Sequence, residues 1–124
     1  MSKYPLGHGL HLIADLAGGT RLDDPDFIGV VLRDAAIAAR VTLLELRLHH
    51  FGDGNGVTGV ALLAESHISI HTWPEHGVAA IDIFVCGAKA DPDAALALIA
   101  ERFGAGIQRE TRIDRLAAPA VAPG

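Results

Sequence analysis

The chain has little cysteine, few aromatic residues and no long apolar run. Cys86 is the single cysteine in 124 residues, which excludes an internal disulfide and makes a reducing cytoplasm the expected location. No apolar run reaches the roughly 18 residues of a membrane helix, and Met1–His8 lacks the apolar core of a signal peptide. Lysine and arginine (10) are outnumbered by aspartate and glutamate (15), which argues against nucleic acids and anionic membranes as partners.

The patterns that are present predict one α+β domain over residues 1–124. Apolar residues spaced three and four apart after Asp-Pro predict helices from Pro25 to about Arg40 and from Pro92 to about Phe103. The predicted strands are His8–Leu16, Val41–Leu48, Val57–Ala64, His67–Trp73, Val78–Cys86 and Ile107–Ile113. Short links make the strands from Val57 to Cys86 antiparallel neighbours. We expect a mostly antiparallel sheet with both helices on one face, and an Ala-Pro-rich disordered tail at 117–124.

Five of the seven histidines lie within 28 residues: His49, His50, His67, His71 and His76. A metal site is the first hypothesis, but His67 and His71 are four apart on a predicted strand and therefore about 13 Å apart. The pair would fit a helix, but the segment has strand periodicity and ends at Pro74, and there is no second cysteine. We therefore expect no metal site, and the alternative is that these histidines are ordinary half-exposed strand residues.

Nucleophilic catalysis is a second hypothesis. It needs a serine or cysteine beside a histidine and an orienting carboxylate, which Cys86, His71 and Asp82 could supply. The segment has no Gly-x-Ser-x-Gly elbow, and strand serines are usually structural. Residue types alone leave a catalytic constellation and a purely structural role both open.

A longer motif favours a catalytic role over a purely structural one. Two central segments, Glu65-Ser66-His67 with His71-Thr72-Trp73-Pro74-Glu75, and Ala79-Ala80-Ile81-Asp82-Ile83-Phe84-Val85-Cys86-Gly87, resemble the prokaryotic S-adenosylmethionine decarboxylase proenzyme family. The similarity covers nearly the whole chain. It implies an S-adenosylmethionine decarboxylase-like sandwich and self-cleavage between Glu65 and Ser66. It also implies decarboxylation of S-adenosylmethionine, which supplies aminopropyl groups for spermidine.

The resemblance assigns a role to each chemical residue. Ser66 is the precursor of the pyruvoyl cofactor, which forms a Schiff base with the substrate, and Glu65 supplies the carbonyl at the cleaved bond. His71 is the processing base, and Thr58 supplies the processing hydroxyl. Cys86 is the acid that reprotonates the substrate carbon. No metal is expected in this chemistry.

Two substrate contacts are implied less directly. Phe51 resembles an aromatic residue that stacks on adenine, and Glu75 matches an acid that accepts hydrogen bonds from ribose hydroxyls. His76 and Val78 stand where the family commonly has aromatics, and Leu10 stands where a basic residue is frequent. Two alternatives therefore stay open: pyruvoyl chemistry on arginine or ornithine, and a binding homologue that never cleaves.

The resemblance also implies a homodimer with its sites near the interface. We expect the sheet face without helices to be apolar and buried against a second copy. Within the chain, Ser66 and His71 are five residues apart and so point to opposite faces of a regular strand. Either the chain bends near Ser66 or Ser66 lies at a strand end.

Overall fold

The structure, a computed structural model, describes residues 8–116. Its elements are β1 (Gly9–Ala17), α1 (Pro25–Ala38), β2 (Leu43–His50), β3 (Val57–Leu63), β4 (Ser66–Trp73), a 3-10 turn (Pro74–His76), β5 (Val78–Cys86), α2 (Pro92–Phe103) and β6 (Gly106–Arg115). The predicted helices and strands are confirmed, with most ends within one or two residues of the prediction. The predicted disordered tail at 117–124 lies outside the described residues.

The six strands form one sheet in the order β2-β3-β4-β5-β1-β6, and every neighbouring pair is antiparallel. Both helices pack against one face of this sheet and against each other. Alternate residues of the central strands, such as Leu12, Ile68 and Ile83, are fully buried beneath them. Phe103 from α2 is equally buried. The predicted α+β architecture is therefore confirmed.

Each helix begins at an Asp-Pro pair, as the sequence predicts. The Asp24 carboxylate accepts a hydrogen bond from the Phe27 amide at 3.1 Å, and Asp91 does the same for Ala94 at 3.0 Å. The Phe27 amide, helped by Arg21, lowers the pKa of the Asp24 carboxyl. Within residues 8–116, neither helix is long and apolar enough to cross a bilayer.

The sheet surface turned away from the helices, hereafter the open face, is only in part the apolar surface that the sequence led us to expect. In β1, β4 and β5 the buried residues alternate with less buried ones, both polar and apolar. The open face consequently carries His11, Thr58, His67, Ser69, His71, Asp82 and Cys86 alongside exposed Ile13, Leu62 and Ile113. The expectation of an apolar face is met only in part, since Val60, Val78, Ala80 and Phe84 share this face with the polar residues.

A buried hydroxyl fixes one end of β4. The Val57 amide donates to Thr72 Oγ1 at 2.8 Å, and that hydroxyl donates to the Leu22 carbonyl at 2.6 Å. Gly56 passes so close that a Cβ there would lie 2.1 Å from the Thr72 carbonyl oxygen. Only glycine fits this approach, which holds the turn before β3 against the end of β4.

Candidate active site

The Glu65–Ser66 bond lies at a tight turn. Leu63 pairs with Ser66, so only Ala64 and Glu65 connect β3 to β4. Glu65 has a φ of 62°, a left-handed conformation that costs a residue with a side chain about 1–2 kcal/mol. Ser66 Oγ is buried and has no hydrogen-bond partner within the described chain. The strained Glu65 and the Ser66 hydroxyl, which has no partner within the described chain, therefore flank the peptide bond at which the family resemblance predicts cleavage.

Cys86 ends β5 on the strand next to this turn. The register pairs His67 with Phe84, and its continuation brings Cys86 opposite Glu65. Burial, and secondly the Glu65 carboxylate, raise the pKa of the Cys86 thiol. Cys86 shares its face with Phe84 and Asp82, as predicted. The thiol is therefore protonated at neutral pH, the state that a proton donor requires.

The other end of β4 holds a second group of predicted residues. Thr58 and His71 are cross-strand partners, and Thr58 Oγ1 lies 3.1 Å from His71 Nδ1. Both line a cavity of about 490 Å³, together with Phe51, Trp73 and Glu75. The predicted processing base, processing hydroxyl, adenine-stacking residue and ribose acceptor thus share one cavity.

Within one chain the two groups do not meet. Ser66 and His71 are five positions apart along β4, or about 16 Å, whereas a general base works within hydrogen-bond reach. They also belong to opposite faces, since Ser66 shares the register of Ile68 and Ile70 beneath the helices. Ser66 is the first residue of β4, so the strand-end alternative is confirmed.

The Cys86, His71 and Asp82 constellation is not assembled in one chain either. Cys86 and His71 lie at opposite ends of their strands, and Asp82 pairs in register with Ser69. The Asp82 carboxylate instead accepts a hydrogen bond from His11 Nε2. A nucleophilic triad built from these three residues is therefore wrong for the single chain.

Sequence reasoning missed a cluster on the open face. His11, His67 and Asp82 come from β1, β4 and β5, and each offers a ligand atom within 4.8 Å of the others. The alternation of buried and exposed residues in each strand, which can be read from the sequence, places all three on the same face. The strand order, in which β1 and β4 flank β5, cannot be read from the sequence, so the cluster could not be predicted.

Comparison with known proteins places this arrangement among relatives. Residues 10–116 match the family model described as S-adenosylmethionine decarboxylase. The chain is 44% identical to the S-adenosylmethionine decarboxylase proenzyme of Thermomicrobium roseum over 95 residues, covering 77% of this chain and 82% of that protein. It is 39% identical over 122 residues to the proenzyme of the same name from Acidithiobacillus ferrooxidans, covering 93% and 90%.

A solved structure has the same fold. The crystal structure of adenosylmethionine decarboxylase from Aquifex aeolicus VF5 superposes with a TM-score of 0.75 at 31% identity. The match covers 97% of this chain and 100% of that one. The similarity therefore extends over the turn at Glu65, the end of β5 and the cavity beside His71.

Proposed function

Because the chain belongs to the S-adenosylmethionine decarboxylase family, we propose that it cleaves itself between Glu65 and Ser66 and then decarboxylates S-adenosylmethionine. One observation carries the proposal. The strained Glu65 and the buried Ser66 hydroxyl flank one peptide bond, and the protonated thiol of Cys86 lies beside it. The Ser66 hydroxyl has no hydrogen-bond partner within residues 8–116. The product is a donor of aminopropyl groups, as spermidine synthesis requires, and a cytoplasmic location keeps Cys86 reduced.

Processing begins at the turn. Ser66 Oγ attacks the Glu65 carbonyl carbon, the peptide nitrogen leaves as an amine, and the peptide bond becomes an ester. Breaking this bond releases the left-handed strain of Glu65, and Ser66 Oγ has no competing partner to give up within the described residues. A base then removes the Ser66 α-proton, and β-elimination expels the Glu65 carboxylate. Water converts the remaining dehydroalanine to a pyruvoyl cap and ammonia.

The residues at the turn fit the pyruvoyl group. Cleavage makes position 66 the first residue of its fragment, and we expect the cap to turn from the helix side towards the open face, where Cys86 lies. The pyruvoyl group supplies a carbonyl that captures the substrate amine and accepts the electrons released with carbon dioxide. Cys86, on the neighbouring strand, holds the proton that the substrate carbon then needs.

The site is completed by a second copy of the chain. His71 cannot reach the Ser66 α-proton of its own chain, because five residues at about 3.3 Å each place it about 16 Å away. A two-fold axis across the middle of β4 reverses the strand direction and lays the His71 end of one open face over the Ser66 end of the other. The homodimer then holds two complete sites, each with Ser66 and Cys86 from one copy and Thr58 and His71 from its partner.

The cavity beside His71 suits the adenosyl part of the substrate. Phe51 presents an exposed aromatic face, and Glu75 offers carboxylate oxygens at the same cavity. Stacking of a base on an aromatic residue contributes about 1–3 kcal/mol. Arginine or ornithine would leave Phe51 without a stacking partner, so the cavity favours S-adenosylmethionine over those substrates.

Substrate choice is tested by release of labelled carbon dioxide from S-adenosylmethionine, arginine and ornithine, each labelled in its carboxylate. We expect release from S-adenosylmethionine alone. Phe51→Ala is expected to raise KM about 5- to 100-fold, equivalent to the loss of one stacking contact, with a smaller change in kcat. Ile107→Ala, an exposed apolar residue far along the sheet, is the matched control. Release from arginine or ornithine by an enzyme inert towards S-adenosylmethionine would contradict the assignment.

His71→Ala is expected to stop processing at the ester. The acyl shift needs only Ser66 and the Glu65 carbonyl, whereas removal of the α-proton needs a base. Hydroxylamine should therefore split the variant between residues 65 and 66, while untreated variant stays one chain under denaturing electrophoresis. His76→Ala, an exposed histidine outside the cavity, should process normally. A His71→Ala protein that carries a normal pyruvoyl cap would reassign the base.

Cys86→Ala is expected to self-cleave, at a normal or reduced rate, and to lose most of its decarboxylation. Without the thiol, protonation should shift from the substrate carbon to the cap carbon. Hydrolysis then leaves the substrate's amine on the cap as alanine, releases the decarboxylated substrate as an aldehyde and inactivates the chain. Mass analysis of the fragment beginning at residue 66 detects this after turnover. Because the Cys86 pKa is raised, wild-type kcat should fall on the alkaline side only above the ordinary cysteine range, as the thiol ionises. Full activity with an unmodified cap would leave Cys86 as a packing residue.

A further inference from the structure

The cluster of His11, His67 and Asp82 takes no part in the proposed reaction. His11 and His67 pair with Phe84 from its two neighbouring strands, and Asp82 lies two residues before Phe84 on the same face. One ligand atom from each of the three lies within 4.8 Å of the others, and His67 Nε2 is 3.9 Å from the Asp82 carboxylate. In the single chain their side chains are 17% (His11), 37% (His67) and 39% (Asp82) exposed, so a small ion can reach the ligand atoms before two open faces pack together.

Aromatic packing holds both imidazole rings in place. The His11 and His67 rings lie 5.7 Å and 6.0 Å from the Phe84 ring, and 6.3 Å from each other at a steep angle. The rings are carried by strands in the middle of the sheet rather than by loops. The donor atoms are therefore arranged before any ion arrives, which lowers the entropic cost of binding.

We propose that His11, His67 and Asp82 form a binding site for a divalent transition-metal ion, of which Zn²⁺ is the reference case. Two imidazoles and one carboxylate are a common zinc donor set and leave a fourth position for water. Bond lengths of about 2.0–2.2 Å place tetrahedral ligand atoms about 3.3 Å apart, so the cluster needs only side-chain shifts on the order of 1 Å. The ion would link β1, β5 and β4 across the open face, a site that the spacing of His67 and His71 did not predict.

Arg115 opposes binding and so provides a test of the geometry. The Arg115 guanidinium donates a hydrogen bond to His11 Nδ1 at 3.1 Å. A neutral His11 therefore carries its proton on Nε2, and this N–H donates to the Asp82 carboxylate. An ion on Nε2 moves that proton to Nδ1, which can then no longer accept from Arg115. Arg115 must therefore turn away when the ion binds, and removing its charge should strengthen binding.

The experiment titrates tag-free protein with Zn²⁺ in competition with a chromophoric chelator, using both the processed wild type and Ser66→Ala. We expect one ion per chain in both, because the cluster does not depend on processing. Outer-shell changes cost about 10–100-fold in metal affinity, so His11→Ala, His67→Ala and Asp82→Asn should each cost at least about 100-fold. His76→Ala should bind as the wild type does, and Arg115→Gln should bind more tightly.

A measurement on the unmutated chain keeps the test independent of variant folding. Co²⁺ should selectively shift or broaden the ring signals of His11 and His67 in the NMR spectrum before those of His49 and His76. The absence of stoichiometric binding would overturn the proposal. So would binding that survives His67→Ala and Asp82→Asn, or Co²⁺ effects that begin at His49 or His76. Activity enters none of these readouts, so failure of the metal site leaves the proposed decarboxylase untouched.

Discussion

Ser66→Ala is expected to remain one chain of 124 residues, while the wild type separates into residues 1–65 and 66–124, which are 65 and 59 residues long. The second fragment should have no free amine, because its first residue carries the pyruvoyl carbonyl instead. Alanine removes the only atom able to attack the Glu65 carbonyl from position 66. We therefore expect complete loss of processing, and with it complete loss of decarboxylation. Intact mass measures both the cleavage and the cap in one spectrum.

Ser69→Ala is the matched control for this experiment. Ser69 lies on the same strand but in its interior, three residues from the turn, paired with Asp82. The residues around it are regular strand, whereas Glu65 is left-handed. Ser69→Ala should process as the wild type does. A wild-type chain that stays intact after long incubation, or a Ser66→Ala chain that still splits, would refute self-processing at this bond.

Much of the fold could be predicted because its signals are local. Both helices begin at an Asp-Pro pair, Asp24-Pro25 and Asp91-Pro92. The turns between β3, β4 and β5 are short, so these strands pair as antiparallel neighbours. The position of β1 between β5 and β6 depends on pairing between distant segments, which no local pattern encodes.

The candidate site was predicted residue by residue but not as an arrangement. The sequence motif selected Ser66, His71 and Cys86, and alternation indicated that Ser66 and His71 face opposite ways. It could not reveal that the strand is regular between them, which is what keeps them apart. The polar residues of the open face were missed for a related reason: whether alternate residues of a strand are buried depends on which side the helices cover.

The distance between Ser66 and His71 within one chain leads to a second prediction, in which a pyruvoyl cap either forms or does not. If the base acts across the dimer, two inactive chains can repair each other. In a heterodimer of Ser66→Ala with His71→Ala, the chain with intact Ser66 faces the intact His71 of its partner. Both residues of that site are present, although neither chain has both. If the base acted within its own chain, neither chain could be processed.

Coexpression of the two variants, distinguished by mass, should yield a pyruvoyl-capped fragment from the His71→Ala chain only. Random pairing of equal amounts limits it to roughly half of those chains, since heterodimers are half of all dimers. Each variant expressed alone should give none.

The reciprocal mixture sharpens the result. A Ser66→Ala/His71→Ala double variant paired with the wild type gives heterodimers in which the intact Ser66 faces a missing base. The wild-type chain in those heterodimers should stay uncut, whereas a base acting within the chain would cut it fully. The two mixtures therefore give opposite outcomes for the two mechanisms. Full cutting of the wild-type chain, with no cap in the first mixture, would assign His71 to the site of its own chain and require β4 to depart from the regular strand between Ser66 and His71.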